Sequence, residues 1–186
     1  MPSINNIFLK EIQDDVSQYP CFIETGTLNG DTTFALEPYF EKLYTIEFCQ
    51  KYYINTMNSY KGNKINFILG DSSIVFADLL PQILDKSIFF LDGHWSSGDT
   101  GRSAKDCPLI EEITHINNLF KNKAIIIIDD YRLFGLSPKT GLAQDWSDIN
   151  KEKIFNIFGS RINKIYNLDS ECAKNDRLII HIHAII

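Results

Sequence analysis

Five short apolar runs recur along the chain, and each one leads into a carboxylate. Cys21-Phe22-Ile23 leads into Glu24, Leu43 to Ile46 into Glu47, Ile65 to Leu69 into Gly70-Asp71, Ile88 to Leu91 into Asp92, and Ala124 to Ile128 into Asp129-Asp130. Short, fully apolar runs suit strands buried on both faces. Amphipathic stretches separate them: about 31–39, about 50–59, one from Ser72 with Ile74, Val75, Leu79, Leu80 and Ile83 on its buried side, and one from Pro108 to about Phe120. Strand then helix, repeated, predicts a parallel sheet with helices on both faces. Ile4, Ile7, Phe8, Ile12 and Val16 predict an opening helix that Pro20 stops. A helix from about Asp148 to Phe158 and two strands, near Ile162 to Leu168 and Arg177 to Ile185, close the chain. The gap between these last strands is too short for a right-handed crossover, so they should pair antiparallel at one edge. The expected architecture is α/β: a doubly wound, mostly parallel, seven-stranded sheet with a C-terminal antiparallel hairpin.

Length and composition narrow the function. The 186 residues correspond to one domain, 1–186, and 44 % hydrophobic with 23 % charged residues is usual for a globular chain. No apolar run approaches a membrane span. The first residues carry acids early and lack a basic-then-apolar signal layout, so a cytoplasmic protein is expected. The net charge of -6 opposes a nucleic-acid partner, since phosphate-backbone binders carry basic excess. None of the four cysteines are two to four residues apart, which excludes zinc-finger and redox-pair spacing and points to free thiols. Cys107, before Pro108 at a helix start, is placed where a thiolate is favoured, but no histidine is close in sequence. Phe22, Phe34, Phe40, Phe89 and Phe90 are expected in the core.

Ligands of open α/β sheets bind at the carboxyl ends of the strands. Acids gathered along that rim cost free energy unless a cation or hydrogen-bond donors sit among them. The first turn, Glu24-Thr25-Gly26-Thr27-Leu28-Asn29-Gly30, carries two glycines four apart that let backbone pass close to a ligand, with a helix N-terminus behind. It is neither GxGxxG nor a P-loop, and the chain has no GK[ST]. Glu47, 21 residues beyond Gly26, ends the second strand, where an acid accepts hydrogen bonds from a ribose diol. Asp71-Ser72 is placed to meet an adenine amino group and suits a helix N-cap equally well.

ETGTLNG, TIEF, LGDSS, FFLDGHW and IIIIDDY, in this order, resemble the successive motifs of class I S-adenosylmethionine (SAM)-dependent methyltransferases, over about Phe22 to Leu133. The resemblance implies a Rossmann-like fold, which the closing hairpin suits. Within the class it is to the macrocin-type sugar O-methyltransferases and related small-molecule enzymes. It implies SAM along Glu24, Thr25, Gly26, Thr27, Gly30, Thr32, Glu47, Asp71, Ser72 and Asp92. It also implies a divalent ion, magnesium, held by Asp92, Asp129 and Asp130. His94, two residues after Asp92, falls at the position of the family's catalytic base, usually Asp; related methyltransferases carry a histidine as DGxH. Asp92 and His94 are thus the expected catalytic pair.

The residue types fit that chemistry. Hard divalent ions take carboxylate oxygens and keep several waters. Asp129 and Asp130 would point to opposite faces of a regular strand, so they converge only if the chain turns there, which Tyr131 to Gly135 permits. A metal beside acceptor hydroxyls would orient them and lower one pKa, and a neutral His94 could take the proton as the oxygen attacks the SAM methyl. Equally open are a turn-capping Asp129 with a solvated Asp130, and a loop His94 bonded to a carboxylate.

Two long segments flank the same rim. Trp95 to Cys107 is polar and glycine-containing and should be a mobile cover for the acceptor, with Arg102 and Lys105 available for an anionic group, and Leu133 to Trp146 is the second; plain connectors are equally open, though each exceeds the usual two to six residues. His115 lies on a helix, and His181 and His183 share one face of an edge strand without a third metal ligand nearby. The acceptor is expected to be a hydroxyl of a sugar, glycan or other small molecule, with no nucleic acid and no membrane, and a homo-oligomer is left open. The alternative is a SAM- or nucleotide-binding module without turnover, acting through protein partners. A base methylator is disfavoured, because LDGHW stands where [DNS]PP[YFW] would follow the fourth strand.

Overall fold

The structure, a computed structural model, describes residues 3–96, 98 and 100–185. In chain order its elements are α1 (Asn6–Leu9), β1 (Cys21–Thr25), α2 (Asp31–Leu36), β2 (Lys42–Glu47), α3 (Gln50–Ser59), β3 (Ile65–Leu69), α4 (Ser72–Leu79), β4 (Ser87–Leu91), α5 (Leu109–Leu119), β5 (Ala124–Ile128), α6 (Lys151–Phe158), β6 (Ile162–Leu168) and β7 (Arg177–Ile182). The seven strands form one sheet in the order β3-β2-β1-β4-β5-β7-β6. The first five run parallel, and β7 pairs antiparallel with both β5 and β6.

Alternation along each strand divides the core in two. Ile23, Phe89, Leu91, Ile126 and Ile128 face α4, α5 and α6, while Phe22, Ile88, Phe90, Ile125 and Ile127 face the N-terminal segment, Leu36 and Phe40. Phe34 is half-buried and stacks on Tyr60, ring centroids 5.9 Å apart.

Register positions the site. Thr25 lies beside Ile46 on one side and Leu91 on the other, and Leu91 beside Ile128. The next residues, Gly26, Glu47, Asp92 and Asp129, therefore leave the sheet abreast. The strand order reverses between β1 and β4, the switch point where open α/β sheets leave a crevice.

Three expectations are corrected. The opening helix is a single turn. The Asn5 side chain caps it through the Ile7 and Phe8 N–H groups, and then the Asp14 and Asp15 carboxylates take the main-chain N–H of Asp15 and Ser17, turns that compete with a helix. Ile7 and Ile74 are 65 % and 69 % exposed, and Phe76 takes the buried position on α4. His181 lies on an interior strand, with Nε2 3.1 Å from the Tyr166 hydroxyl and Nδ1 3.4 Å from Asp14 Oδ2; His183 lies beyond the end of β7. No helix among the described residues is long and apolar enough to cross a membrane.

Candidate functional site

The β1 turn rests on the end of β4. Gly26 has φ +86°, and a Cβ there would overlap the Asp92 carbonyl oxygen, so only glycine fits both the conformation and the space. Its N–H donates to the Ile46 carbonyl (2.9 Å), and the Asp92 N–H to the Thr25 carbonyl (3.2 Å), extending the ladder past the strand ends. Above this junction opens a cleft of about 300 Å³.

Gly26, Glu47, Asp71, Ser72, Asp92, His94, Asp129 and Asp130 all line the cleft. Glu47 binds both neighbouring turns: Oε2 accepts the Leu28 N–H (2.8 Å) and Oε1 the Cys49 N–H (2.7 Å). Asp71 caps α4 by accepting the Ser73 N–H (2.9 Å). The Ser72 hydroxyl donates to Glu112 Oε1 (2.5 Å), and burial pushes the Glu112 carboxyl up to about 7 against the pull of that hydroxyl.

Glu24, Thr25, Thr27, Gly30 and Thr32 lie outside the cleft lining. Glu24 shares the inward face with Phe22, accepts the Thr33 and Thr45 hydroxyls, and is pushed up to about 8 by burial. The Thr27 hydroxyl lies 2.6 Å from that of Thr45, and Thr32 accepts the Ser3 N–H (3.1 Å). At Gly30, φ is +76° and a Cβ would lie 2.6 Å from Thr56 Cγ2.

At the other end Asp130 takes the left-handed conformation, φ 57°, which breaks the strand alternation. His94 sits between two acids, Nδ1 3.4 Å from Asp92 Oδ1 and Nε2 3.4 Å from Asp130 Oδ2. Trp146 meets the imidazole edge to face at 5.1 Å. Burial lowers the His94 pKa, but the hydrogen bond and charge of Asp92, with Asp130 and Asp129, outweigh it and the net direction is upward.

Asp129 turns elsewhere. Its Oδ1 lies 3.2 Å from Arg177 Nε, and burial and the Asp92 charge push its carboxyl up to about 7 despite Arg177. Arg132 lies 2.6 Å from Asp130 Oδ1 and also pairs with Asp176. Two groups of metal-capable side chains result, Asp92 with His94 and Asp130, and Asp129 with Asp130 and Asp176, the ligand atoms of each within 4.8 Å of one another. Among the described residues, Asp92, Asp129 and Asp130 do not close on one point. The second group already holds Arg177 at Asp129 and Arg132 between Asp130 and Asp176; in the first, Asp130 meets Arg132 through Oδ1 but turns Oδ2 to His94, so that oxygen, Asp92 and the imidazole could hold a divalent ion, with His94 in the place expected for Asp129.

The two long segments are tied together. The Trp95 N–H donates to the Asp106 carbonyl (2.7 Å), and Asp106 Oδ2 accepts the Asp145 N–H (3.0 Å). Arg102 pairs with Asp106 (2.6 Å) and stacks on Trp95 at 4.3 Å, and Lys105 pairs with Glu111, so both cations have protein partners. Residues 97 and 99 of the first segment lie outside the described residues. Cys107 is buried, which pushes its thiol well up and away from a thiolate.

Arg132, Arg177, Asp176 and Trp146 were not singled out by sequence. Arg177 carried one signal, a charge opening an apolar strand: in the antiparallel register Ile128 faces Leu178, which sets Arg177 opposite Asp129.

No family model and no curated protein matches the sequence. Solved structures do match the fold. The O-methyltransferase TomG from Streptomyces achromogenes, in complex with SAM, is 13 % identical with a TM-score of 0.60, covering 91 % of this chain and 75 % of that one. Fibrillarin in its complex with Nop5p is 13 % identical with a TM-score of 0.59, covering 96 % and 79 %. The N-methyltransferase NodS from Bradyrhizobium japonicum WM9, in complex with S-adenosyl-L-homocysteine, is 11 % identical with a TM-score of 0.54, covering 89 % and 78 %. The chain has the Rossmann-like fold of class I SAM-dependent methyltransferases.

Proposed function

We propose that this chain is a SAM-dependent O-methyltransferase of the macrocin type, acting on a hydroxyl of a sugar, glycan or other small molecule. The observation that carries this reading is the row Gly26, Glu47 and Asp92 at the switch point, with His94 and Asp130 beyond it on the same cleft. SAM would lie over Gly26, Glu47, Asp71 and Ser72, with its methyl toward Asp92; fold neighbours in complex with SAM or its demethylated product support SAM as the ligand. The acceptor would enter between the Trp95 and Trp146 segments. Its oxygen attacks the methyl carbon, the sulfonium leaves as a neutral thioether, and the hydroxyl proton passes to the polar groups around Asp92, His94 and Asp130. A divalent ion held there would lower the hydroxyl pKa. Asp92 and Asp130 keep the acceptor at this end, and Trp146 limits water around the imidazole. An acidic chain of this kind would meet its acceptor in the cytoplasm rather than on nucleic acid or a membrane.

Calorimetry with SAM, followed by mass-shift screening of hydroxyl acceptors with and without a chelator, tests the reading. SAM binding with chelator-sensitive methyl transfer is expected. Absence of SAM binding would overturn it; binding without transfer to any acceptor would identify a cofactor-binding module.

A further inference from the structure

We propose that His94 is a direct ligand of the divalent ion, completing an Asp92–His94–Asp130 site that prefers a first-row transition ion, for which manganese(II) is the probe, over magnesium. The use of that ion in methyl transfer rests on the function proposed above; its binding does not.

The three side chains offer ligand atoms within 4.8 Å of one another at the edge of the cleft. The Nε2 to Asp130 Oδ2 distance of 3.4 Å exceeds the roughly 2.7–2.9 Å of a charge-assisted hydrogen bond. It suits two ligands of one ion, whose bonds run about 2.0–2.2 Å. Nδ1 lies 3.4 Å from Asp92 Oδ1, so the imidazole stands between the two carboxylates that would share the ion with it.

Charge balance selects the same place. Arg177 serves Asp129, and Arg132 serves Asp130 and Asp176. Among the described residues no lysine or arginine pairs with Asp92, whose ion-pair partner is His94. The imidazole is nearly buried and braced by Trp146, itself 2 % exposed, so its orientation is built in rather than adopted on demand.

The donor set then decides the ion. Magnesium demands oxygen ligands and retained water. One imidazole with two carboxylates shifts preference toward manganese and its heavier neighbours.

The test uses the full chain, purified without a histidine tag, titrated with manganese(II) by calorimetry and examined by pulsed electron paramagnetic resonance. One ion per chain is expected, with a nitrogen coupling that changes isotope when the histidines are labelled with ¹⁵N. His94→Gln should lose that coupling and bind at least about 10–100-fold more weakly, the usual loss for even an outer partner of a metal site. Asp129→Asn should keep it. Magnesium in about tenfold excess should leave the ion in place. Bound manganese without histidine coupling would overturn the ligand assignment, ready displacement by magnesium the preference, and no manganese binding the site itself. SAM titration on the same samples separates the two readings. Loss of SAM binding with histidine-coupled manganese would remove the methyltransferase and leave the site, and the reverse result would do the opposite.

Discussion

Gly26 and Asp92 meet backbone to backbone: a Cβ on Gly26 would overlap the Asp92 carbonyl oxygen and lie 3.0 Å from its carbon. The β1 turn at the cleft and the strand end that carries Asp92 are therefore one mechanical unit. A push on one displaces the other.

Gly26→Ala tests this coupling. The residue must hold φ +86° with a side chain and force the β1 and β4 ends apart. A destabilisation of at least about 1–3 kcal/mol is expected from the strained conformation alone. Denaturant unfolding measures it, and SAM titration of the folded fraction should show weakened binding. Unchanged stability would mean that the strand ends move freely.

Glu47 should discriminate between two substitutions. Glu47→Ala removes the acceptor for both the Leu28 and Cys49 N–H groups, whereas Glu47→Gln keeps one oxygen. SAM affinity should fall by about 1.5–3 kcal/mol in the alanine variant, the worth of hydrogen bonds to a charged group, and by less in the glutamine variant. Calorimetry that finds both variants equal to the unmutated chain would remove Glu47 from the cofactor site.

Glu24 sets a pH dependence of stability. Its folded-state pKa of about 8 stands above the ordinary value of 4.5 because of burial. Between those values the unfolded chain has released the proton and the folded chain retains it. The fold binds more protons, so its stability falls as pH rises through this window and levels off above it. Glu112, raised to about 7, acts in the same direction. Glu24→Gln preserves the shape and removes that share, so its advantage in melting temperature should grow from about pH 5 to pH 8. Parallel melting curves for the two proteins across that range would refute the assignment.

Arg177 and Asp129 form a nearly buried pair at 3.2 Å, and the guanidinium also lies 4.9 Å over the Phe8 ring. Arg177→Met should cost about 3–5 kcal/mol, because the carboxylate is left uncompensated beside Asp92. Adding Asp129→Asn should restore part of the loss in urea unfolding. Additive losses would show that the arginine acts through packing alone.

The alternation of apolar runs with amphipathic stretches was enough to establish the sheet, its five parallel strands and the closing hairpin, because burial on both faces and a short final connection are local properties of the chain. The glycine turn and the acids at the strand ends were legible for the same reason. Which way each acid points was not. Glu24 stands two residues short of the row formed by Gly26, Glu47, Asp92 and Asp129, inside the strand rather than past its end, so its carboxyl is buried against Thr33 and Thr45. The adjacent Asp129 and Asp130 divide because Asp130 is left-handed, which sends one acid to His94 and the other to Arg177. Arg177 and Trp146 reach the site from segments far along the chain, and no local periodicity records such partners. Register across strands and the crossing of loops fix them, and those are decided only when the whole sheet closes.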